Sequence, residues 1–155
     1  MKGCEKVLVS ACLLGIRCRY DGGRLPPLPR NPEEVWIPVC PEQLGGLPTP
    51  RSPARIMGGD GEAVLEGKAR VMNETGEDVT DRFLLGAEEV LRIAQALRVG
   101  KAILKERSPS CGVRWTHNGE GLVEGMGVTA ALLHREGILL VSDEELRGSP
   151  PDARS

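Results

Sequence analysis

The sequence lacks a long apolar segment. No hydrophobic run approaches the roughly 20 residues that a membrane-spanning helix requires. The first ten residues, MKGCEKVLVS, also contain no hydrophobic stretch followed by a cleavage site. These absences argue against a membrane partner and against export. They predict a cytoplasmic protein, in which thiols stay reduced.

An excess of charge of one sign is missing as well. The chain carries 20 Lys and Arg residues against 22 Asp and Glu residues, and the basic residues are scattered along it. A general nucleic-acid-binding protein concentrates positive charge on one face or stripe. The sequence therefore predicts a small-molecule ligand and no nucleic-acid partner.

The five cysteines do not form any closely spaced set. Their odd number fits poorly with a closed disulfide framework, and no Cys-x2-4-Cys pair of the kind found in structural zinc sites is present. A low-molecular-weight phosphatase would need an arginine six positions after the cysteine of its first loop. Arg17 and Arg19 lie five and seven positions after Cys12, so this spacing fails.

Four short apolar runs predict the strands of a parallel sheet, because each is nearly continuous in hydrophobicity, as in strands covered on both faces. Strands separated by helices are typical of a layered α/β domain. The sequence thus predicts one Rossmann-like α/β domain over residues 1–147, with a mostly parallel sheet flanked by helices. The predicted strands are residues 6–11, 35–39, 101–106 and 137–142.

Two segments have helical periodicity. Apolar residues recur at helical spacing over residues 78–99, with Gly100 in the position of a C-cap, and residues 127–135 predict a shorter helix. Between residues 67 and 80 an Asn-Glu-Thr-Gly turn predicts a small hairpin or an irregular excursion. The last eight residues, 148–155, are predicted to form a frayed tail.

Three cysteines follow predicted strands. Cys12 comes after the first strand, Cys40 ends the second and Cys111 lies five residues beyond the third. Ligands of open parallel sheets bind outside the carboxyl ends of the strands, so these thiols are predicted to meet in one place. Pro41 is suited to the first position of a short helix, whose N-terminus favours a thiolate at Cys40.

Three thiols without a matching fourth suit a four-iron cluster with one iron open to substrate, since soft thiolates favour iron-sulfur chemistry. From spacing alone this is one of several chemistries, and a buried cysteine is also a common small hydrophobic residue. The position of Cys18 is compatible with a fourth cluster ligand, with a group that supports the ligands, or with simple packing. Cys4, before the first strand, is interpreted as incidental.

Six motifs in this order resemble a bacterial family whose characterised members are thiouracil desulfidases. The resemblance runs from about Val7 to Glu145, which is nearly the whole chain. The motifs are SACLLGIRCRYDGG, CPEQLGGLPTPRSPA, GGDG, GEDVT, LKERSPSCG and GVTAALL.

The resemblance implies a 4Fe-4S cluster and a substrate that is a thiolated nucleobase or a similar small thioamide. By motif, the cluster ligands would be Cys12, Cys40 and Cys111, and the catalytic pair would be Glu42 and Ser108. The expected reaction replaces C=S by C=O, with the sulfur taken up by the open iron.

Other polar loop residues are candidates for binding the substrate. They are Ser110, Arg51 and Tyr20, although serines beside a proline also serve as turn residues. Arg19 and Asp21 are expected to form a salt bridge.

The remaining titratable groups are expected to be structural. His134 lies near a helix end and His117 in a turn, and neither is predicted to act directly in the chemistry. The acidic run 143–145 predicts a solvated helix start.

The chain departs from the family pattern at two places. Arg55 stands where the family usually has a glutamate, and Trp115-Thr-His-Asn-Gly stands where an aromatic-Asp-Gly turn is expected.

Two other functions stay open. One is a non-catalytic iron-sulfur or zinc module that carries or senses sulfur, and the other is a hydrolase with a low-pKa thiol nucleophile.

Overall fold

The computed structural model describes residues 4–118 and 120–147. The strands are β1 (Glu5–Ser10), β2 (Glu34–Val39), β3 (Ala54–Met57), β4 (Arg70–Asn73), β5 (Lys101–Leu104), β6 (Trp115–His117), β7 (Leu122–Glu124) and β8 (Leu139–Ser142). The helices are α1 (Pro41–Leu44), α2 (Gly61–Leu65), α3 (Thr80–Leu97), α4 (Val128–Arg135) and α5 (Asp143–Arg147). The predicted tail, residues 148–155, lies outside the described residues, and the limits of the single domain stay a prediction.

The four predicted strands form one parallel sheet in the order β2-β1-β5-β8, which confirms the predicted α/β class. The third strand is two residues shorter than predicted. The amide of Lys105 donates to Ser10 Oγ and that of Glu106 to Asp143 Oδ1, so side chains replace the neighbouring strand as acceptors.

Hydrophobic residues alternate between the two faces of β1. Leu8 packs with Val90 of α3 and Leu133 of α4. On the opposite face, Val7 and Val9 pack against residues of the irregular segment that follows β1, among them Leu13 and Leu28. The sheet is therefore covered by helices on one face and by this segment on the other.

The long helix ends differently from the prediction. Gly100 was expected at the C-cap, but the cap is Arg98, which adopts a left-handed conformation with φ of 58°. This turn places Val99 in the core, where only 6% of it is exposed. The burial of an apolar side chain thus offsets the cost of a left-handed arginine.

The small hairpin or irregular excursion predicted after residue 67 corresponds to a short antiparallel turn after β4. The turn exists, because Asn73 Oδ1 accepts from the amides of Thr75 and Glu77. The residues after the turn form an antiparallel bridge with β4, Met72 to Asp78, and β4 also pairs antiparallel with the upstream strand β3, which the sequence did not predict. Ile56 and Val71 of these strands pack on Phe83 of α3, and this packing selects the partner.

Within the described residues, no helix is both long and apolar enough to cross a membrane.

Candidate functional site

The carboxyl ends of the central strands open onto a cavity of about 580 Å³. This is the edge at which open parallel sheets bind ligands. The structure brings together here every side chain that the sequence analysis selected. They are Cys12, Cys40, Cys111, Glu42, Ser108, Ser110, Arg51 and Tyr20.

Each of the three predicted cluster ligands follows a different strand of the parallel sheet. Cys12 lies in the 3-10 turn after β1, Cys40 is the N-cap of α1, and Cys111 lies in the loop after β5. Cys111 is buried, whereas Cys12 and Cys40 are half-buried. Cys4 lies before β1, at the opposite end of that strand from the cavity.

Cys18 also belongs to the cavity. It is 3% exposed, and its backbone carbonyl accepts from the Cys40 thiol, with 3.8 Å between Sγ and O. Its carbonyl accepts from Arg51 Nη2 at 2.8 Å. The Cys18 carbonyl therefore contacts two predicted site residues, Cys40 and Arg51, and Cys18 belongs to the site.

The thiols do not form a site for one metal ion. In the described part of the chain, no three His, Cys, Asp or Glu side chains are grouped closely enough to hold one. Ligands of a single ion converge on one point, whereas each protein thiolate of a four-iron cluster binds a different iron. Thiols from three different connections that line one cavity are compatible with the ligands of a four-iron cluster.

Three of the thiols are held in the neutral form. Burial raises the pKa of Cys111 to about 12, and the hydrogen bond with the Cys12 thiol is the main cause that raises the pKa of Cys18 to about 11. The pKa of Cys40 is also raised, first by the hydrogen bond with Cys18 and then by burial.

The start of α1 does act on Cys40 as expected, because the backbone amide of Gln43 lowers its pKa. The neighbouring Cys18 thiol and burial act in the opposite direction and raise the pKa of Cys40 overall. None of these three cysteines has the low pKa that a thiol nucleophile needs at neutral pH.

A buried ion pair lies beside the thiols. Arg51 Nε donates to Glu42 Oε1 at 2.8 Å, and the two side chains are 7% and 15% exposed. The other carboxylate oxygen, Oε2, accepts from Ser110 Oγ at 3.0 Å. Glu42 is thus oriented by a cation on one oxygen and by a hydroxyl on the other.

Ser108 continues this network. Its Oγ lies 3.0 Å from Ser110 Oγ and accepts from the backbone amides of Ser110 and Cys111. A hydroxyl oxygen has two lone pairs, so two amides saturate it as an acceptor. Ser108 must then be the donor in its bond to Ser110, which leaves Ser110 free to donate to Glu42.

The Arg19 and Asp21 salt bridge is confirmed, with 3.7 Å between Nη1 and Oδ2. Tyr20 is 41% exposed at the cavity, and its carbonyl accepts from the Arg51 amide at 2.7 Å. Arg55, which replaces a glutamate of the family pattern, is half-buried and also lines the cavity.

Two expectations about other residues are corrected. His117 lies on β6 rather than in a turn, and it lines the cavity. In the acidic run that begins α5, Asp143 is only 3% exposed rather than solvated. It is held by Arg147 and accepts from the backbone amide of Glu106, which packing of α5 against the loop after β5 makes possible.

Sequence reasoning missed Glu106, which lines the cavity and is 2% exposed. The available signal was a charged residue at the end of the predicted strand 101–106, but it does not identify the partners.

Comparisons with known proteins agree with this geometry. The sequence model of a family described as 2-thiouracil desulfurase matches residues 7–145. The uncharacterized protein YbbK of Bacillus subtilis (strain 168) is 44% identical over 146 residues, which cover 90% of this chain and 97% of YbbK. A solved structure of the 4Fe-4S-dependent thiouracil desulfidase TudS is 40% identical. It superposes with a TM-score of 0.78 over 93% of this chain and 94% of that one.

Proposed function

Because the chain belongs to the 2-thiouracil desulfurase family, we propose that it is a desulfidase that converts the C=S group of a thiolated pyrimidine such as 2-thiouracil into C=O. The observation that carries the proposal is the convergence of three thiols from different strand ends with the Glu42 and Ser110 pair on one cavity. A hydrolytic exchange of sulfur for oxygen consumes water and releases sulfide, and it needs no reductant.

The donor set fits an iron-sulfur cluster. Cys12, Cys40 and Cys111 would hold it, because their soft sulfur atoms line one cavity. When bound through three thiolates, such a cluster supplies an iron without a protein ligand, which acts as a Lewis acid towards sulfur. Positive charge in the cavity would also stabilise the thiolates that burial disfavours.

The side chains beside the thiols are arranged to move protons. Arg51 occupies Glu42 Oε1 and carries no proton acceptor, so Oε2 is the oxygen at which Glu42 takes up or releases a proton. The path to Oε2 runs from Ser108 through Ser110, with 3.0 Å at each step. Attack of water on the carbon requires removal of a proton, and the departing sulfur requires one.

The hydrogen bonds among Ser108, Ser110 and Glu42 are largely shielded from bulk water, which suits a cavity that takes a small substrate. Ser110 is 2% exposed and Glu42 is mostly covered, so their hydrogen bonds are little weakened by competing water. Arg51 and Tyr20 are then placed at the wall of the cavity, where contacts to the edges of a heterocyclic ring orient it.

The test is anaerobic reconstitution with iron and sulfide, followed by addition of 2-thiouracil. We expect about four irons per chain, the content of one cubane cluster, and release of sulfide with each turnover. Cys40→Ser should lose the iron and the activity while its fold is retained. Cys4→Ser is the matched control, because Cys4 lies at the other end of β1, and it should keep both.

Two outcomes would contradict the proposal. If the wild-type chain takes up no iron, the cluster assignment is wrong. If it binds the cluster but releases no sulfide from any thioamide, a non-catalytic module that carries or senses sulfur becomes the better description.

A further inference from the structure

The segment of residues 107–115, called here the Cys111 loop, ends at the first residue of β6 and contains Cys111, Ser108 and Ser110, none of which lies in a helix or strand. Loops rarely enter a protein interior, because their backbone amides must find acceptors there. The backbone amides of the Cys111 loop therefore need acceptors beneath the cavity.

Glu106 supplies most of them. Its Oε1 atom accepts from the backbone amides of Val113 at 2.7 Å, Arg114 at 2.9 Å and Trp115 at 3.1 Å, and also from that of Arg107 at 3.3 Å. One carboxylate oxygen therefore contacts the first residue of the Cys111 loop and its last three. Such bonds to an ionised acceptor are stronger than those to a neutral one.

Ser108 accounts for the middle of the loop. Its Oγ accepts from the amides of Ser110 and Cys111, and its carbonyl accepts from that of Gly112. The tip is thus held by the loop itself, whereas the two ends are joined through Glu106.

The conformation of Arg107 gives independent support. Its φ is 74°, a left-handed conformation that is unfavourable for a residue with a side chain. Such a conformation persists only where the surroundings impose it. Here the Arg107 amide is held by Glu106, and its guanidinium pairs with Glu144 of α5.

Glu106 is itself fixed in place. Its amide donates to Asp143 Oδ1 at 2.8 Å, and Arg147 Nε donates to the other oxygen of Asp143 at 3.2 Å. In the described part of the chain, the Glu106 carboxylate has no salt bridge. Its charge is stabilised by the loop amides, so the carboxylate and the loop depend on each other.

We infer that Glu106 is the positioning residue of the Cys111 loop, which sets where Cys111, Ser108 and Ser110 face the cavity. The consequence for cluster binding rests on the proposed function, whereas the ordering of the loop does not.

Glu106→Gln tests the inference, because it keeps the shape and one oxygen but removes the charge. In the metal-free protein we expect the amides of Val113, Arg114 and Trp115 to exchange with deuterium roughly tenfold faster, since a neutral acceptor binds them more weakly. Exchange in β1 should not change. Glu88→Gln, on the exposed face of α3, is the matched control and should behave as wild type.

The second readout uses the reconstituted protein. Glu106→Gln should lower the iron content and alter the electron paramagnetic resonance spectrum of the reduced cluster. Val71→Ala, in the buried cluster that β4 forms with Phe83 of α3, lowers stability, and this cluster contains no residue of the Cys111 loop, so it should leave the spectrum unchanged. This comparison separates positioning from general destabilisation.

Wild-type exchange rates at residues 113–115 in Glu106→Gln would overturn the inference. If that variant does not fold, the exchange rates of the wild-type protein test the inference. Rapid exchange of these three amides in the native protein would equally exclude an ordering role for Glu106. If the wild type binds no iron, the exchange result still stands and only the proposed function fails.

Discussion

Arg51 illustrates how much of the site depends on one side chain. Besides Glu42, its guanidinium donates to the carbonyls of Cys18 and Pro48 and to Thr49 Oγ1. These four bonds use all but one of the five N–H groups of a guanidinium. Arg51 therefore joins α1 and the loop that follows it to the segment after β1, in addition to the substrate contact predicted for it.

Arg51→Gln should destabilise the protein by about 3 kcal/mol, because it leaves the buried Glu42 carboxylate without its cation. Urea denaturation measures this loss. Arg92→Gln is the control, since the Arg92 and Glu89 pair is exposed and 4.0 Å long, and we expect it to change stability by less than about 0.5 kcal/mol. Equal effects of the two substitutions would contradict a structural role for the Arg51 and Glu42 pair.

At the scale of elements, α1 is positioned by close contact with α3. A Cβ atom on Gly86 of α3 would lie 1.9 Å from the Pro41 carbonyl oxygen, and one on Gly45 would lie 2.0 Å from that of Arg82. Only glycine permits this approach. Because α1 begins at Cys40 and contains Glu42, the contact places both residues at the cavity.

Gly86→Ala should therefore impair the site, although alanine favours a helix. We expect a loss of roughly 1–3 kcal/mol from overpacking, together with lower iron content after reconstitution as α1 shifts. Thermal unfolding and iron analysis measure the two effects. Gly100→Ala is the matched control, because its Cβ would meet nothing within 4 Å. A Gly86→Ala protein with normal stability and iron content would show that α1 tolerates displacement.

The N-terminus of α4 supports the Cys111 loop through hydrogen bonds. The first amides of this helix have no acceptor within the helix. Those of Val128, Thr129 and Ala130 donate to the carbonyls of Pro109 and Ser110 instead. Helix and loop therefore satisfy each other, the loop contributing carbonyls to α4 and amides to Glu106.

For the whole molecule, neutral thiols make stability depend on pH. The pKa of Cys111 is raised to about 12 and that of Cys18 to about 11 in the fold, whereas cysteines of an unfolded chain ionise near pH 8.5, about the ordinary value. Above that pH the unfolded state loses protons that the folded state keeps. The contribution of these thiols to stability is thus complete below about pH 8.5 and declines as pH rises towards 11 to 12.

We expect the free energy of unfolding of the metal-free protein to fall from pH 8.5 upwards. Urea titrations at fixed pH values measure it, with Cys111→Ser compared against Cys4→Ser because lysine and tyrosine also titrate in this range. Cys111→Ser should show the shallower decline. Identical slopes in the two variants would mean that Cys111 ionises as easily in the folded protein as in the unfolded one.

Local patterns determined a large part of this protein. The four strands of the parallel sheet and the two principal helices were predicted from hydrophobic periodicity, because each pattern reflects burial of an element on its own. The position of Cys12, Cys40 and Cys111 at one sheet edge also followed, since parallel strands end on the same side. The motifs that carry the family resemblance are likewise contained in short segments.

Only the tertiary structure decided the remaining features, because each depends on residues distant in sequence. Packing on Phe83 selected β3 as the partner of β4, and burial of Val99 moved the helix cap from Gly100 to Arg98. The raised pKa values of the cysteines and the contacts of Glu106 likewise depend on residues that are distant in sequence. Hydrophobic periodicity reports which side of an element is buried, but not which side chains or backbone amides it meets there.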